Sequence, residues 1–257
     1  MGSVTHTIQD HVATVVLANE GRFNAMSLAM WQALAGVLAQ IQTDDSVRVL
    51  LLRGLGDRAF VSGADISEFE TQRNSEASVA IYNRSVEQAQ EALFRCRVPV
   101  IAAISGICFG GGLGLALSCD LRYASTSARF RMPAARLGLG YGFKGMKSFL
   151  NQLGPMSAAE AFYTARIYTA SEGERLGIVQ SVHEDVFAHC QALAAQIAEN
   201  APLTVRAAKQ TMISLLDGGE PDRAALDAAV DACFKSQDYA EGRRAFAEKR
   251  TPAFQGR

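Results

Sequence analysis

The 257-residue sequence predicts an α/β fold, and three observations support this prediction. In the first half, pairs of short strand-like segments alternate with helical segments. Two strand-like segments, at 47–52 and 99–105, are almost continuously apolar, as expected of strands that are buried on both faces. From Lys144 onward nearly every segment is helical, apart from a late strand at 178–182.

The chain opens with a predicted hairpin and a helix. Apolar and polar residues alternate over 4–9 and 11–17, which indicates two strands turning at Asp10. Ser27 is a suitable N-cap for a helix that continues to about Ile41, because apolar residues then recur at helical spacing on one face.

The middle of the chain adds shorter elements. Residues 54–63 are predicted to form a loop, and a long helix follows at about 75–96. A short helix is expected at 113–118, with short strands at 121–124 and 130–132.

The last part of the chain is predicted to be a helical appendage. The composition changes near residue 200, so we divide the chain into a core at 1–200 and a C-terminal helical region at 201–257. Proline is favoured in the first turn of a helix. Three prolines lie near predicted helix starts: Pro155, Pro202 and Pro221.

The composition is that of a soluble globular protein, and it excludes several classes of function. Hydrophobic residues make up 49% and the net charge is −1, so no overall charge attracts nucleic acid. The longest apolar stretch, 98–117, is too interrupted by glycine for a membrane span, and the N-terminus does not resemble a signal peptide. We therefore expect a cytoplasmic protein with no membrane or nucleic-acid partner.

The cysteine pattern gives no sign of a metal site or a disulfide framework. Five cysteines are present, an odd number, and no two of them form a CxxC pair. Buried free thiols are the expected outcome.

Two glycine-containing loops carry the main functional signal. Each of them, at 58–66 and 105–114, follows a predicted strand and leads into a helix. Such turns expose backbone N–H groups, and glycine lets a ligand approach them closely. Two adjacent turns could point two donors at one oxygen, as in an oxyanion hole. The alternative is that these glycines only permit tight packing of strand on helix.

A third glycine cluster matches a dinucleotide-binding pattern but lacks its context. Residues 140–145 read GxGxxG, yet the preceding segment at 132–139 contains a proline and is predicted to be a loop. A dinucleotide site requires a strand at that point.

Together these motifs resemble the crotonase, or enoyl-CoA hydratase/isomerase, superfamily, and the resemblance covers essentially the whole chain. Four motifs carry it, in order: Asn24-Ala25-Met26; Ala59-Phe60 with Gly63-Ala64-Asp65-Ile66; Gly106 with Gly110-Gly111-Gly112 through Cys119-Asp120; and Ser236-Gln237-Asp238 through Phe254.

The resemblance implies an enzyme of acyl-CoA and fatty acid metabolism, with CoA as part of the substrate and no separate cofactor or metal. It implies a superhelix of β-β-α units with a C-terminal helical region that builds trimers or hexamers. The Ala64 and Gly111 amides would bind the thioester oxygen. Other family positions would contact CoA: Arg22, Ala25, Asp65, Ile66, Ser67, Phe246 and Lys249.

The sequence departs from the hydratase pattern at both acid–base positions. Hydratases of the family carry two glutamates, whose positions here are Gly114 and Ala134. Some relatives carry an acid at a third position, which here is Gly142. Because neither glycine nor alanine can transfer a proton, the two-carboxylate mechanism cannot operate unchanged.

Tyr141 is the remaining candidate for chemistry. The segment 137–142 resembles the methylmalonyl-CoA decarboxylase branch of the superfamily, which has a tyrosine in a similar position but a histidine where this chain has Ala64. A tyrosine hydroxyl could donate a proton or a hydrogen bond. The alternative is a wall of the acyl pocket. Arg136 could bind a substrate carboxylate, or could simply face solvent.

Three functional hypotheses follow. The first is an acyl-CoA lyase that works through an enolate, possible without paired glutamates. The second is an enoyl-CoA hydratase or isomerase with other acid–base groups. The third is a non-catalytic acyl-CoA-binding scaffold.

Overall fold

The computed structural model describes residues 2–65 and 75–257. Its strands are β1 Ser3–Gln9, β2 Val12–Ala18, β3 Val49–Gly54, β4 Ala59–Val61, β5 Val100–Ile104, β6 Ile107–Phe109, β7 Leu121–Ser125, β8 Arg129–Arg131, β9 Tyr168–Thr169 and β10 Ser181–His183. Its helices are α1 Leu28–Thr43, α2 Glu76–Phe94, α3 Gly111–Leu117, α4 Ala134–Leu137, α5 Phe143–Thr164, α6 Ala170–Arg175, α7 Val186–Ala198, α8 Pro202–Asp217, α9 Arg223–Lys235 and α10 Gln237–Glu248.

The strands form two sheets, and from β3 to β8 consecutive strands belong alternately to one sheet and the other. The large sheet has the order β1-β2-β3-β5-β7-β10, and the small sheet has the order β4-β6-β8-β9. All pairs are parallel except β1 with β2 and β8 with β9. Each pair β3/β4, β5/β6 and β7/β8 therefore supplies one strand to each sheet, and helices α3 and α4 follow the last two pairs directly. This repeated β-β-α arrangement confirms the predicted α/β fold.

Several local predictions were wrong. The expected loops at 54–63 and 105–114 contain β4 and β6, the expected loop at 132–139 contains α4, and the late strand begins at Ser181 instead of residue 178. Elements of three or four residues are too short to show a hydrophobic period, so only their tertiary partners reveal them. β4, for example, exists because it pairs with β6.

The element ends follow the local sequence. Asp10 and His11 both have positive φ, at 49° and 66°, so the hairpin turn takes both residues and β2 begins at Val12. Ser27 caps α1 by accepting a hydrogen bond from the Met30 amide, as predicted. α5 is kinked at Gly154, where φ is 72°, and a new helical segment starts at Pro155.

The core lies on both sides of the large sheet. One side packs against α1, α2 and α3 around the fully buried Trp31. The other side packs against α7, where Val49, Leu51 and Ile101 contact Val186 and Cys190. Strands β3 and β5 are thus buried on both faces, as their apolar runs predicted. Four of the five free cysteines are buried, and Cys233 is half-buried.

The C-terminal helices are attached to the core by polar contacts. Lys209 of α8 is buried, and its ammonium group donates to the carbonyl of Val98 and to the carboxylate of Asp120, 2.7 Å away. The Arg48 guanidinium holds the chain end by donating to the carbonyl of Phe254. The division of the chain near residue 200 stays a prediction. Within 2–65 and 75–257, no helix has the length and apolar character needed to cross a membrane.

Candidate active site

The first glycine loop holds the Ala64 amide between two backbone hydrogen bonds. The Met26 N–H donates to the carbonyl of Gly63 at 2.8 Å, and the Asp65 N–H donates to the carbonyl of Met26 at 3.0 Å. Gly63 has a φ of 121°, a conformation that favours glycine. In the described part of the chain, no hydrogen bond takes up the N–H of Ala64 itself. The loop therefore presents one half-buried, free amide.

The second glycine loop presents the amide of Gly111 at the start of α3. Gly110 has φ 52° and ψ −116°, and its own N–H is taken by the carbonyl of Arg131 at 2.8 Å. Gly111 is the first residue of α3, where an N–H group has no acceptor within the helix. Among the described residues its N–H has no other acceptor either.

The two loops lie side by side because their strands pair. β4 runs parallel to β6, so their carboxyl ends meet at one edge of the small sheet. A β-carbon on Gly63 would lie 3.5 Å from the carbonyl oxygen of Phe109, and one on Gly112 would overlap the backbone of Val61. Close packing therefore requires glycine at 112, whereas Gly63 is favoured by its positive φ, and the two loops place two free amides at the same edge. Such an arrangement can donate two hydrogen bonds to one oxygen.

An aromatic pair supports the second loop from beneath. A β-carbon on Gly111 would lie 3.4 Å from Cζ2 of Trp31. The indole Nε1–H of Trp31 donates to the hydroxyl of Tyr82 at 3.0 Å, and both side chains are buried. This contact fixes the indole and hence the floor below the amide of Gly111.

Neutral polar groups occupy the space in front of Gly114. A β-carbon at this position would lie 2.7 Å from the carboxamide nitrogen of Gln90 and 3.2 Å from the hydroxyl of Tyr141. Position 134 also offers no polar group, because its residue is alanine; Ala134 is buried at the start of α4. The polar groups at this point are therefore an amide and a phenol.

Tyr141 is held by packing on three sides. Its ring lies against Gly145, where a β-carbon would be 3.0 Å from Cδ1. It also makes edge-to-face contacts with Phe149 and Phe162, with ring centroids 5.8 Å and 4.9 Å away. Burial raises the pKa of the Tyr141 hydroxyl to about 12, so it is neutral at physiological pH and can donate a hydrogen bond.

Two residues of this arrangement were missed by sequence reasoning. Gln90 lies inside α2 and belongs to no motif. Gly145 was noted only as part of a glycine pattern that lacks the context of a dinucleotide site, although the ring of Tyr141 packs against it. The four-residue spacing from Tyr141 to Gly145 at the start of a helix could have indicated the contact of Gly145 with the tyrosine. Gln90, in contrast, is revealed only by the tertiary fold.

The predicted CoA-contacting residues near the first loop do lie together. The guanidinium of Arg22 is 2.6 Å from the carboxylate of Asp65. Asn19 donates to the other oxygen of Asp65 at 3.2 Å and to the carbonyl of Ala25 at 2.7 Å. Asp65 therefore braces the turn before the first loop.

Comparison with known proteins identifies the family. The sequence model of the enoyl-CoA hydratase/isomerase family matches residues 7–257. The chain belongs to this family.

Individual relatives agree over nearly the full length of this enoyl-CoA hydratase/isomerase family member. The short-chain-enoyl-CoA hydratase of Clostridium acetobutylicum is 32% identical, over 93% of this chain and 92% of that protein. The crotonyl-CoA hydratase of Syntrophomonas wolfei is 30% identical, over 96% of this chain and 95% of that protein. The crystal structure of an enoyl-CoA hydratase/carnithine racemase from Magnetospirillum magneticum superposes with a TM-score of 0.92, at 36% identity, covering 100% of this chain and 97% of that one. The fold is therefore the crotonase fold expected from the motifs.

The remaining family positions are not brought to the two loops by this structure. Ile66 and Ser67 lie outside the described residues. Phe246 is 88% exposed and lines a groove of about 900 Å³ between α8, α9 and α10. Lys249 is exposed at the end of α10, with a φ of 53°. Their contact with CoA stays a prediction.

Two charged side chains near the motifs lie away from the two loops. The carboxylate of Asp120, which directly precedes β7, accepts hydrogen bonds from the Val100 amide at 2.6 Å and from Lys209. Arg136 faces solvent, in agreement with the simpler of its two interpretations. Within the described ranges, no cluster of three or more His, Cys, Asp or Glu side chains could hold a metal ion.

Proposed function

We propose that this protein binds an acyl-CoA thioester and stabilises the enolate form of its acyl group with the N–H groups of Ala64 and Gly111. The support is geometric: both amides are free in the described structure and lie at the same edge of the small sheet. Two relatives are named as hydratases of enoyl-CoA or crotonyl-CoA thioesters, whose carbonyl is the group that such donors polarise.

The reaction that best fits the groups in front of Gly114 is decarboxylation of a 2-carboxyacyl-CoA. The bond between the α-carbon and its carboxylate breaks, CO₂ leaves, and the electron pair remains as an enolate whose charge lies on the thioester oxygen. A proton from the Tyr141 hydroxyl then moves to the α-carbon, and solvent reprotonates the phenolate. No base is needed to start this sequence, which agrees with the absence of a side-chain acid at 114 and 134.

The position of the Tyr141 hydroxyl, 3.2 Å from where a side chain at 114 would begin, is the observation that carries this proposal. A hydroxyl with a pKa of about 12 is too weak an acid to ionise near neutrality, so it retains its proton until a strong base forms beside it. The enolate carbon is such a base. Tyr141 therefore acts as a proton donor and not as a nucleophile or a base.

Hydration is the second candidate. The names of the relatives favour it. The amide of Gln90 and the hydroxyl of Tyr141 could also hold a water molecule in place of the missing carboxylates. Neither group is basic, however, so such a water would be only weakly activated.

An assay with three acyl-CoA substrates separates these reactions. Purified protein is supplied with methylmalonyl-CoA, ethylmalonyl-CoA and crotonyl-CoA, and CO₂ release and hydration are measured. We expect CO₂ release from one of the first two, and crotonyl-CoA hydration no faster than in buffer. The opposite pattern would establish the hydratase instead, and turnover of none of them would contradict both reactions.

Position 111 offers a test of the amide itself. Gly111→Pro removes the N–H, yet proline suits the first position of a helix. Gly111→Ala keeps the N–H and adds a β-carbon at an ordinary 3.4 Å from Trp31. We expect proline to lower kcat/KM by about 100- to 1,000-fold and alanine to leave most of it. A trimeric or hexameric assembly and a cytoplasmic location stay predictions.

A further inference from the structure

Gln90 is a polar side chain with no assigned role beside the proposed site. It lies on α2 and is half-buried, and its carboxamide nitrogen lies 2.7 Å from the point where a side chain at 114 would begin. Its neighbours at positions 89 and 93 of α2 are fully buried in the core, so the helix face that carries Gln90 is fixed. No side-chain hydrogen bond in the described part of the chain involves its amide.

The amide of Gln90 and the hydroxyl of Tyr141 converge on the same point. The hydroxyl is 3.2 Å from it, and no hydrogen bond among the described residues involves this hydroxyl. Neither group is among the buried side-chain atoms that lack a partner in the described structure, so both reach solvent and are open to a ligand or to water. Gly114 lies one helical turn after Gly111, which places these two donors within reach of the same acyl group as the oxyanion amide.

We propose that Gln90 is a specificity residue which, together with Tyr141, binds the carboxylate of a 2-carboxyacyl-CoA. This inference rests on the proposed function and assigns a residue that recognises its substrate. The amide N–H and the phenol O–H are two neutral donors, and a carboxylate offers two acceptor oxygens. The carboxyl carbon of such a substrate is only two bonds from the thioester carbonyl carbon. The carboxylate can therefore accept from Gln90 and Tyr141 while the thioester oxygen accepts from the two backbone amides.

The neutral character of the donors also suits the reaction. The two groups nearest to position 114, the carboxamide of Gln90 and the hydroxyl of Tyr141, are neutral, so neither of them forms an ion pair with the carboxylate. Loss of CO₂ removes this partly desolvated charge from the pocket. A plain acyl chain would leave both donors unpaired, which discriminates against it.

The test measures binding without turnover. The probes are the amide analogues of methylmalonyl-CoA and propionyl-CoA, in which nitrogen replaces the thioester sulfur and decarboxylation is suppressed. Calorimetry gives the Kd of each for the wild type, Gln90→Met and Gln88→Met. Gln88 lies on the same helix but is exposed, so it receives the same substitution away from the pocket.

We expect the wild type and Gln88→Met to prefer the carboxylated analogue and Gln90→Met to lose about 10- to 100-fold of that preference, since a hydrogen bond to a charged group is removed. Binding of the propionyl analogue should change little, which also shows that the variant is folded. Gln90→Glu, with a negative charge at the same place, should reverse the preference.

An unchanged ratio of the two Kd values in Gln90→Met, or no preference in the wild type, would overturn the inference. The outcome is separable from that of the proposed reaction. A preference that depends on Gln90 without any CO₂ release would leave the carboxylate site standing and refute the lyase. CO₂ release that survives in Gln90→Met with unchanged KM would support the lyase reaction and refute the carboxylate site at Gln90.

Discussion

The ring of Tyr141 lies directly against the backbone of Gly145, so closely that a β-carbon on residue 145 would overlap ring atom Cε1. Gly145 is in the first turn of α5, where glycine has no conformational advantage. Its φ is not in the left-handed region, and the space it leaves is filled by the tyrosine. The direction of the Tyr141 hydroxyl towards Gly114 is therefore set by the absence of a side chain at 145.

Gly145→Ala should displace Tyr141 and lower turnover without removing the hydroxyl. We expect kcat to fall at least tenfold, because a displacement of about 1 Å is enough to misplace a proton donor. Gly140→Ala is the control, since a β-carbon there meets nothing within 4 Å. Steady-state kinetics on the accepted 2-carboxyacyl-CoA checks both, and equal activity in the two variants would show that the seat of the ring is unimportant.

Ionisation of Tyr141 should couple stability to alkaline pH. Burial raises its pKa from 10 to about 12 in the folded protein, so the unfolded chain loses this proton first. The stabilisation is complete below pH 10 and is lost as the pH rises towards 12. The free energy of unfolding is measured in urea for the wild type and for Tyr141→Phe. The wild-type value minus the variant value should be about 1 kcal/mol smaller at pH 11 than at pH 9. An identical difference at both values would mean that the hydroxyl is solvated.

Much of the fold could be predicted because its signals are local. The apolar runs of β3 and β5 and the serine caps of α1 and α2 are visible in short windows of sequence. The three-residue strand β4 and the four-residue helix α4 could not be predicted, because each is stabilised by residues that are distant in sequence.

The candidate site divides in the same way. The loops around Ala64 and Gly111 carry glycines whose spacing could be recognised. Gln90 could not be found, because nothing in α2 distinguishes it from Gln88 until the helix is packed against α3. The partner of Asp120 could not be predicted either, because Lys209 lies 89 residues later in the chain.

The stacked rings of His183 and His189 should make the protein sensitive to mild acid. Their centroids are 3.6 Å apart, and Tyr123 packs edge-on against His189. Burial first, and then repulsion by His183, lower the pKa of His189 below 6.5, so protonation favours the unfolded chain. The stabilisation is therefore full above pH 6.5 and is lost progressively as the pH falls below it.

Thermal unfolding between pH 7 and pH 5 checks this behaviour. The Tm of the wild type should fall more steeply than that of His189→Gln, while His6→Gln, outside the stack, should follow the wild type. Parallel curves for all three proteins would exclude the stack as the sensitive element.

The buried ion pair between Lys209 and Asp120 should be needed to anchor the C-terminal helices. Lys209→Met leaves the carboxylate of Asp120 without its partner, and the side chain of Asp120 is only 31% exposed. We expect a loss of about 2–4 kcal/mol in the free energy of unfolding, with a smaller loss when Asp120→Asn is added. Lys235→Met, at an exposed pair 3.9 Å long, should change it by less than about 0.5 kcal/mol. Similar losses at 209 and 235 would contradict the assignment.

The amides of Ala64 and Gly111 should polarise the oxygen of a bound thioester. Isotope-edited infrared spectroscopy of a bound acyl-CoA, labelled with ¹³C at the thioester carbonyl, measures this directly. We expect the carbonyl stretch to move to lower wavenumber on binding to the wild type and to Gly111→Ala, and most of this shift to be lost in Gly111→Pro while the ligand still binds. A carbonyl band that remains at its solution position in the wild type, or shifts equally in Gly111→Pro, would contradict it.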